Sequence, residues 1–391
     1  DITSFADLGS IAIDATPPFV TSFSSNSNPV GPAFQINTYT DGAQTVPSIT
    51  NLSDGGFVTI WSSYGQDGSQ NGIYGQRYDG SGSKVGSEFQ ISTHTSNHQY
   101  QPSVTSLAGG GFVATWVSSG QDGSSGGVYG QQYDASGNAA GSEFQINSHT
   151  VGSQSQTAAT SLADGGFVVT WQSGGQDAGT TGIYGQRYDA SGSPVDTEFQ
   201  VNSYTANAQS APSLTSFGVD SFVVIWSSKE QDGSSEGIYG QRYDASGHAS
   251  GSEFLINTHV TGKQTDPSVT SLIDGGFVAV WSSYGQDGDG YGIFGQRYDA
   301  SGLAIGVEFQ INSYSGNHQY QPAVISEPDG GFVVAWSSFG QDGSGYGVYG
   351  QRYDVSSIAV GPEFLINTQT DDYQLLPSLT SLADGGFVAT W

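Results

Sequence analysis

The chain has 391 residues, including 58 glycines and 12% aromatic residues, and its 36 acidic residues against eight lysines and arginines give a net charge of −28. This charge disfavours nucleic acid and anionic lipid as partners, and no apolar run reaches the roughly 20 residues that a membrane span needs. Cysteine is absent, which excludes disulfides and thiolate metal sites. Because the chain starts at Asp1, we expect a mature or excised segment.

The tryptophans mark a tandem repeat along the chain. Each ends a copy or close variant of Gly-Gly-Phe-Val-x-x-Trp, and they recur at a constant interval of 55 residues. The seven are Trp61, Trp116, Trp171, Trp226, Trp281, Trp336 and Trp391. A fixed period of this order indicates stacked copies of one supersecondary unit.

The first 29 residues differ most from the repeat but keep its spacing. Phe19 and Phe23 stand where later copies carry tyrosine, so we expect residues 1–29 to be a degenerate repeat. From Val30 onward the match to the later copies is clear.

Each complete repeat offers four short strand-like segments separated by turn residues, for example 102–107, 111–118, 127–134 and 142–147. The second segment is apolar on both faces, which is typical of a strand buried on both sides. Four strands per repeat, with a repeat of about this length, predict an all-β, seven-bladed β-propeller. We expect residues 1–391 to form this one domain.

The two ends of the chain predict how the ring closes. The last repeat stops at Trp391 after two strands, whereas residues 17–24 and 33–37 supply a third and a fourth strand. We therefore expect one blade shared between the termini, with two strands from each end.

Charged residues recur at fixed places in the last two strands. A glutamate in strand four follows each arginine of strand three, as in Arg242 and Glu253, and this pattern predicts an ion pair within each blade. Stacking of the guanidinium on a tryptophan is a further expectation. The alternative, an arginine cluster that binds a ligand carboxylate, requires arginines that converge, and the repeat makes these diverge.

The loops between strands two and three carry Gln-Asp-Gly or a variant of it, and Asp287-Gly288-Asp289 is the copy richest in carboxylates. Aspartate before glycine is compatible with plain turn chemistry. Carboxylate and carbonyl oxygens on a flexible loop are also calcium ligands, so calcium is a predicted cofactor. The candidate metal ligands are Asp67, Asp122, Asp177, Asp232, Asp287, Asp289 and Asp342.

The combination of Gly-Gly-Phe-Val-x-x-Trp, Gly-Gln-Asp-Gly and Tyr-Gly-Gln-Arg-Tyr-Asp resembles the repeats of large secreted bacterial surface proteins described as calcium-binding or haemolysin-type. The resemblance covers about residues 30–391. It implies an extracellular or cell-surface location and an adhesive role, but it names no ligand.

Polar and aromatic residues are concentrated in the Gln-Asp-Gly loops and in the connections into each first strand, which a propeller places on one face. Aromatic rings with amides and carboxylates are typical of sugar sites, although exposed tyrosines also occur on inert loops. The candidate ligand-binding residues are Tyr64, Asn97, His98, Tyr100, Tyr284, Tyr291, Asn317, His318, Tyr320 and Tyr346.

Known catalytic motifs and a polar cluster unique to one repeat are both missing from the sequence pattern, so we predict a non-enzymatic protein. The leading hypothesis is a propeller that binds glycan or another cell-surface or matrix component, lectin-like and multivalent. One alternative is a building block of an extracellular filament or layer that self-assembles through blade edges. The other is a hydrolase.

Overall fold

The computed structural model describes residues 18–24, 32–177, 180–218, 221–244, 246–371 and 373–391. In this described part of the chain, 28 strands form seven four-stranded antiparallel sheets. The sheets are the blades of a seven-bladed β-propeller, which confirms the predicted fold. Of the N-terminal residues assigned to the degenerate repeat, 1–17 and 25–29 lie outside the described ranges.

Blades 1 to 3 follow one another along the chain. Blade 1 contains β3 (Gln44–Asn51), β4 (Phe57–Tyr64), β5 (Asn71–Tyr78) and β6 (Lys84–Gln90). Blade 2 contains β7 (Gln99–Ser106), β8 (Phe112–Ser119), β9 (Gly126–Tyr133) and β10 (Ala139–Gln145). Blade 3 contains β11 (Gln154–Ser161), β12 (Phe167–Gly174), β13 (Thr181–Tyr188) and β14 (Pro194–Gln200).

Blades 4 to 6 repeat this order. Blade 4 contains β15 (Gln209–Phe217), β16 (Ser221–Lys229), β17 (Glu236–Tyr243) and β18 (Phe254–Leu255). Blade 5 contains β19 (Gln264–Ser271), β20 (Phe277–Tyr284), β21 (Tyr291–Tyr298) and β22 (Ala304–Gln310). Blade 6 contains β23 (Gln319–Ser326), β24 (Phe332–Phe339), β25 (Tyr346–Tyr353) and β26 (Ala359–Leu365).

Blade 7 is shared between the two ends of the chain, as predicted. Its strands are β27 (Ser378–Ser381), β28 (Phe387–Thr390), β1 (Phe19–Phe23) and β2 (Phe34–Gln35). Strand β1 pairs with β28 from Val20 opposite Thr390 to Phe23 opposite Phe387. The two ends of the chain are therefore hydrogen-bonded in one sheet.

The first strand of every blade lines the axis, and the fourth lies at the outer edge. Neighbouring first strands contact one another all the way round, from β3 to β7 and finally from β27 back to β3. We call the face that carries the Gln-Asp-Gly loops and the connections into each first strand the loop face. The opposite face is the hairpin face.

Among the described residues, the hydrophobic core consists of seven clusters, each formed where two neighbouring blades pack together. The second strands are buried on both faces, as their two-sided apolar pattern predicted. Trp116 and Trp281 are fully buried in two of these clusters. Each tryptophan therefore helps hold one blade against the next. Among the described residues, no helix is long and apolar enough to cross a membrane.

The predicted arginine–glutamate pairs are wrong, because each residue type binds a different partner. Glu88 accepts hydrogen bonds from the backbone N–H and hydroxyl of Thr38, at 2.6 and 2.9 Å, and from the side-chain amide of Gln66. Thr38 follows the last strand of the preceding blade, so this contact joins two blades on the loop face. The same contact recurs at Glu143, Glu198, Glu253, Glu308 and Glu363.

In the described part of the chain, arginines bind the next blade at four boundaries on the hairpin face. Arg77 donates to the backbone carbonyls of Ala135 and Ser136 in the next blade, and its Nη2 lies 3.2 Å from Asp54 of its own hairpin. Arg242 also binds two carbonyls of the next blade, and its guanidinium lies over Phe217 rather than over a tryptophan. The glutamates and the arginines both lie at blade boundaries and have partners in a neighbouring blade. The pattern within a single repeat therefore does not reveal those partners.

Candidate functional site

A cavity of about 290 Å³ lies on the propeller axis. All seven first strands contribute the same short stretch to its wall, as with Val46 to Ser48 in blade 1 and Leu376 to Ser378 in blade 7. Its volume is at the lower end of the range for small-molecule sites, which is roughly 300–1,000 Å³. The cavity has room for a small polar ligand or one end of a larger one.

One residue per blade in this wall has a left-handed backbone, with φ between 51° and 58°. In the six complete blades the strand register shifts here, so the residue is bulged out of the ladder. The seven residues, called the axial ring, are Val46, Gln101, Gln156, Ala211, Asp266, Gln321 and Leu376. Strain of this kind costs on the order of 1 kcal/mol or more per residue and is concentrated at functional sites in proteins.

Side chains of the axial ring bind the backbone of the next blade. The side-chain oxygen of Gln101 accepts from the N–H of Gln156 at 2.9 Å, and that of Gln156 accepts from the N–H of Ala211 at 2.8 Å. Gln321 differs, because its side-chain oxygen is buried without a hydrogen-bond partner in the described structure. One polar atom beside the cavity therefore has unused hydrogen-bonding capacity.

Asp266 is the one acid among the seven members of the axial ring, all of which lie in the described ranges. Its carboxylate accepts from the hydroxyls of Thr265, at 3.3 Å, and Ser282, and from the N–H of Gln321. Burial nevertheless raises the pKa of Asp266 more than these hydrogen bonds lower it, and Glu236 raises it further. The axis thus carries one carboxyl group whose proton is held more tightly than usual.

Glu236 and Lys263 stand beside Asp266, where blade 4 meets blade 5. The Nζ of Lys263 lies 3.6 Å from an Oε of Glu236, and both side chains are largely buried. Each residue is the only charged one at its repeat position within the described residues. Asp266, Glu236 and Lys263 are therefore a polar cluster found in one part of the ring.

Five tyrosines surround this charged group on the loop face, and we call them the tyrosine cluster: Tyr284, Tyr291, Tyr320, Tyr346 and Tyr373. Tyr284 meets Tyr291 edge to face at 5.1 Å between ring centroids, and Tyr320 meets Tyr346 in the same way at 5.2 Å. Tyr373 lies 5.6 Å from Tyr346. Burial, followed by the charges of Asp266 and Glu236, raises the pKa of Tyr291 to about 12. The tyrosines and the carboxylates therefore form one site.

The predicted ligand-binding residues separate into two groups across the ring. Tyr284, Tyr291, His318, Tyr320 and Tyr346 belong to blades 5 and 6 or the connection between them, and the structure brings them together. His318 accepts from the N–H of Tyr291 at 3.3 Å. Asn317 donates its N–H to Asp289 at 3.1 Å.

The other group lies on blades 1 and 2 and forms no comparable cluster. Tyr64 is about half exposed. Asn97 donates to the carbonyl of Ser119 at 3.4 Å, His98 is partly buried, and Tyr100 is hydrogen-bonded to Ser119. Sequence analysis missed Asp266, Glu236, Lys263 and Tyr373. Each differs in type from the residues at the same position of the other repeats, and that difference was the available signal.

The loop aspartates first of all hold their own loops. One carboxylate oxygen of Asp67 accepts from the N–H of Ser69 at 2.9 Å, and the other is buried without a hydrogen-bond partner. Asp122, Asp232 and Asp342 repeat both features. In the described part of the chain, no three His, Cys, Asp or Glu side chains come together as a metal site. Calcium binding by these loops stays a prediction.

No protein-family model and no curated protein sequence matches the chain. Solved propeller structures do. An α-L-arabinofuranosidase from Fusarium graminearum, in complex with an iminosugar inhibitor, has a TM-score of 0.56 at 12% identity and covers 81% of this chain and 94% of its own. An α-L-arabinanase from Penicillium chrysogenum has 0.52 at 15%, covering 81% and 93%. The NanB sialidase from Streptococcus pneumoniae has 0.54 at 9%, covering 79% and 67%.

At these identities the likeness establishes the fold alone. The finding nevertheless contradicts the prediction of a non-enzymatic protein, because these three structures of the same fold are an arabinofuranosidase, an arabinanase and a sialidase. The premise of that prediction was wrong as well. Asp266, Glu236 and Lys263 form the one-sided polar cluster that the sequence pattern was thought to lack.

Proposed function

We propose that the protein binds carbohydrate at the loop-face end of its axis, between the tyrosine cluster and the axial ring. The observation that carries this proposal is the meeting of five tyrosines with Asp266 and Glu236 beside the axial cavity, whose wall includes Asp266 and Gln321. Aromatic rings pack on the apolar faces of sugars, while carboxylates and amides bind their hydroxyls. The shared fold with carbohydrate-active propellers supports the same proposal.

The chain provides a matched pair of residues to test the location. Tyr100 and Tyr320 belong to identical hexapeptides, Asn-His-Gln-Tyr-Gln-Pro, in blades 2 and 6. A glycan array, with and without calcium, identifies a bound glycan, and calorimetry then compares Tyr320→Ala with Tyr100→Ala. We expect the affinity to fall at least tenfold for Tyr320→Ala and to change less than twofold for Tyr100→Ala.

Two results would contradict the proposal. Equal losses in the two variants would place the ligand elsewhere on the loop face. The lack of any bound glycan in either condition would remove carbohydrate as the ligand class.

The setting of the protein is a separate proposal. The resemblance of its repeats to secreted bacterial surface proteins and its charge of −28 favour an extracellular or cell-surface location, with a glycan of a cell surface or matrix as partner.

A further inference from the structure

The axial site contains two carboxyl groups, which is more than a binding surface needs. Asp266 occupies a strained, bulged position in the cavity wall and is held by three hydrogen-bond donors. A second carboxylate, Glu236, reaches the same region from the neighbouring blade. Two carboxyl groups facing one sugar are the working parts of most glycoside hydrolases.

We propose that this site hydrolyses a glycosidic bond, with Asp266 as the proton donor and Glu236 as the acceptor of a proton from water. This inference rests on the proposed carbohydrate site.

Asp266 is suited to donate a proton because it lies in the cavity wall among groups that resist its ionisation. Burial disfavours the charged form of Asp266, and the negative charge of nearby Glu236 acts in the same direction. The nearby cation is Lys263, which faces Glu236. A carboxyl group that holds its proton more tightly than usual is better suited to give it to a leaving oxygen.

Glu236 is suited to receive a proton. The ammonium group of Lys263, 3.6 Å from the buried Oε2 of Glu236, balances the negative charge of its carboxylate without a hydrogen bond. The Glu236 side chain remains about one-fifth exposed, so a water molecule can reach its other oxygen. Lys263 is a positioning residue, since it acts through Glu236.

The step balances with water as the only co-reactant. The Asp266 carboxyl gives its proton to the glycosidic oxygen as the bond from that oxygen to the anomeric carbon breaks. A water oxygen bonds to the anomeric carbon and releases its proton to the Glu236 carboxylate. The products are two sugars with free hydroxyls, and solvent returns the proton from Glu236 to Asp266.

The test uses the full chain, the glycans that it binds and a panel of aryl glycosides. We expect turnover of at least one substrate, and Asp266→Asn to lower kcat at least 100-fold for a glycan while its affinity changes less than threefold. The loss should be much smaller for a 2,4-dinitrophenyl glycoside, because this leaving group departs without a proton. A merely structural role of Asp266 would affect both substrates equally.

Two further variants complete the design. Glu236→Gln should lower kcat for both substrates, since attack by water is common to both. Asp134→Asn, a turn residue on the hairpin face, should leave activity unchanged. Glycan binding without turnover of any bound glycan or glycoside overturns the hydrolase proposal and leaves the binding proposal standing, as does full activity in Asp266→Asn. If the chain binds no glycan, the proposed carbohydrate site itself is contradicted.

Discussion

Blades 2 and 6 contain the same hexapeptide, yet it has different surroundings in each. In blade 6, Tyr320 meets Tyr346, and the preceding blade contributes Asp266 to the axial ring. In blade 2, the residue that corresponds to Tyr346 is Gly126, and the preceding blade contributes Val46. A motif in a propeller therefore acquires a function from the neighbours that other repeats supply, rather than from its own sequence.

Removal of the buried tryptophan should lower the unfolding free energy equally on the two sides of the ring, and this loss is the largest effect that we expect. Trp281→Ala in blade 5 and Trp116→Ala in blade 2 each remove a fully buried indole from a core between blades. Both variants should lose about 3–5 kcal/mol of unfolding free energy. Chemical denaturation measures the pair. A loss in one variant less than half as large as that in the other would show that the blades share a sequence without sharing a packing environment.

A second prediction concerns a charge found in blade 6 and not in blade 2. Glu327 replaces the leucine of other repeats, such as Leu107, and lies 2.6 Å from Arg352 with both side chains almost fully buried. Burial raises the pKa of Glu327 to about 7, although Arg352 acts in the opposite direction. The folded chain thus holds this proton more tightly than the unfolded chain does.

The contribution of Glu327 to stability should therefore be largest below about pH 4.5 and fall by up to about 3 kcal/mol as the pH rises to 7. Glu327→Leu should remove this slope and be the more stable protein at pH 8, because Arg352 can then bind Asp329 as Arg77 binds Asp54. Urea unfolding across pH 4 to 8 measures both proteins. Replacement of the exposed Glu230 by leucine is the control, and an unchanged slope in Glu327→Leu would contradict the prediction.

Calcium should produce the smallest difference in stability between the blade 5 side and the blade 2 side of the ring. Asp287 and Asp289 in blade 5 can offer two carboxylates to one ion, whereas the loop of blade 2 offers Asp122 alone. At a calcium concentration ten times the dissociation constant, one site adds about 1.4 kcal/mol to the unfolding free energy. Replacing both blade 5 aspartates by asparagine should reduce the gain more than Asp122→Asn does. A melting temperature unaffected by calcium, after chelation and at constant ionic strength, would exclude the site.

The fold was predictable because it depends on what the repeats share. The tryptophan interval, the two-sided apolar second strand and the turn glycines recur in every blade, and they specify the number of blades and the shared closure. The site depends on what differs among repeats and on which blades become neighbours. Asp266 stands where other repeats carry valine, glutamine, alanine or leucine, so a comparison of aligned positions marks it as unusual. The bulge turns this position of the backbone toward the axis. The sequence pattern does not reveal the bulge.

The contacts between blades have a consequence for the size of the ligand. Among the described residues, glutamates join the blades at six boundaries on one face, and arginines join them at four boundaries on the other. Opening the ring on either face breaks these bonds, which therefore restrain its circumference. The bore of the axis then depends largely on side-chain volume at the seven positions of the axial ring. Evolution, or an engineer, can widen or narrow it one residue at a time, for instance at Leu376 or Val46, without rebuilding the propeller.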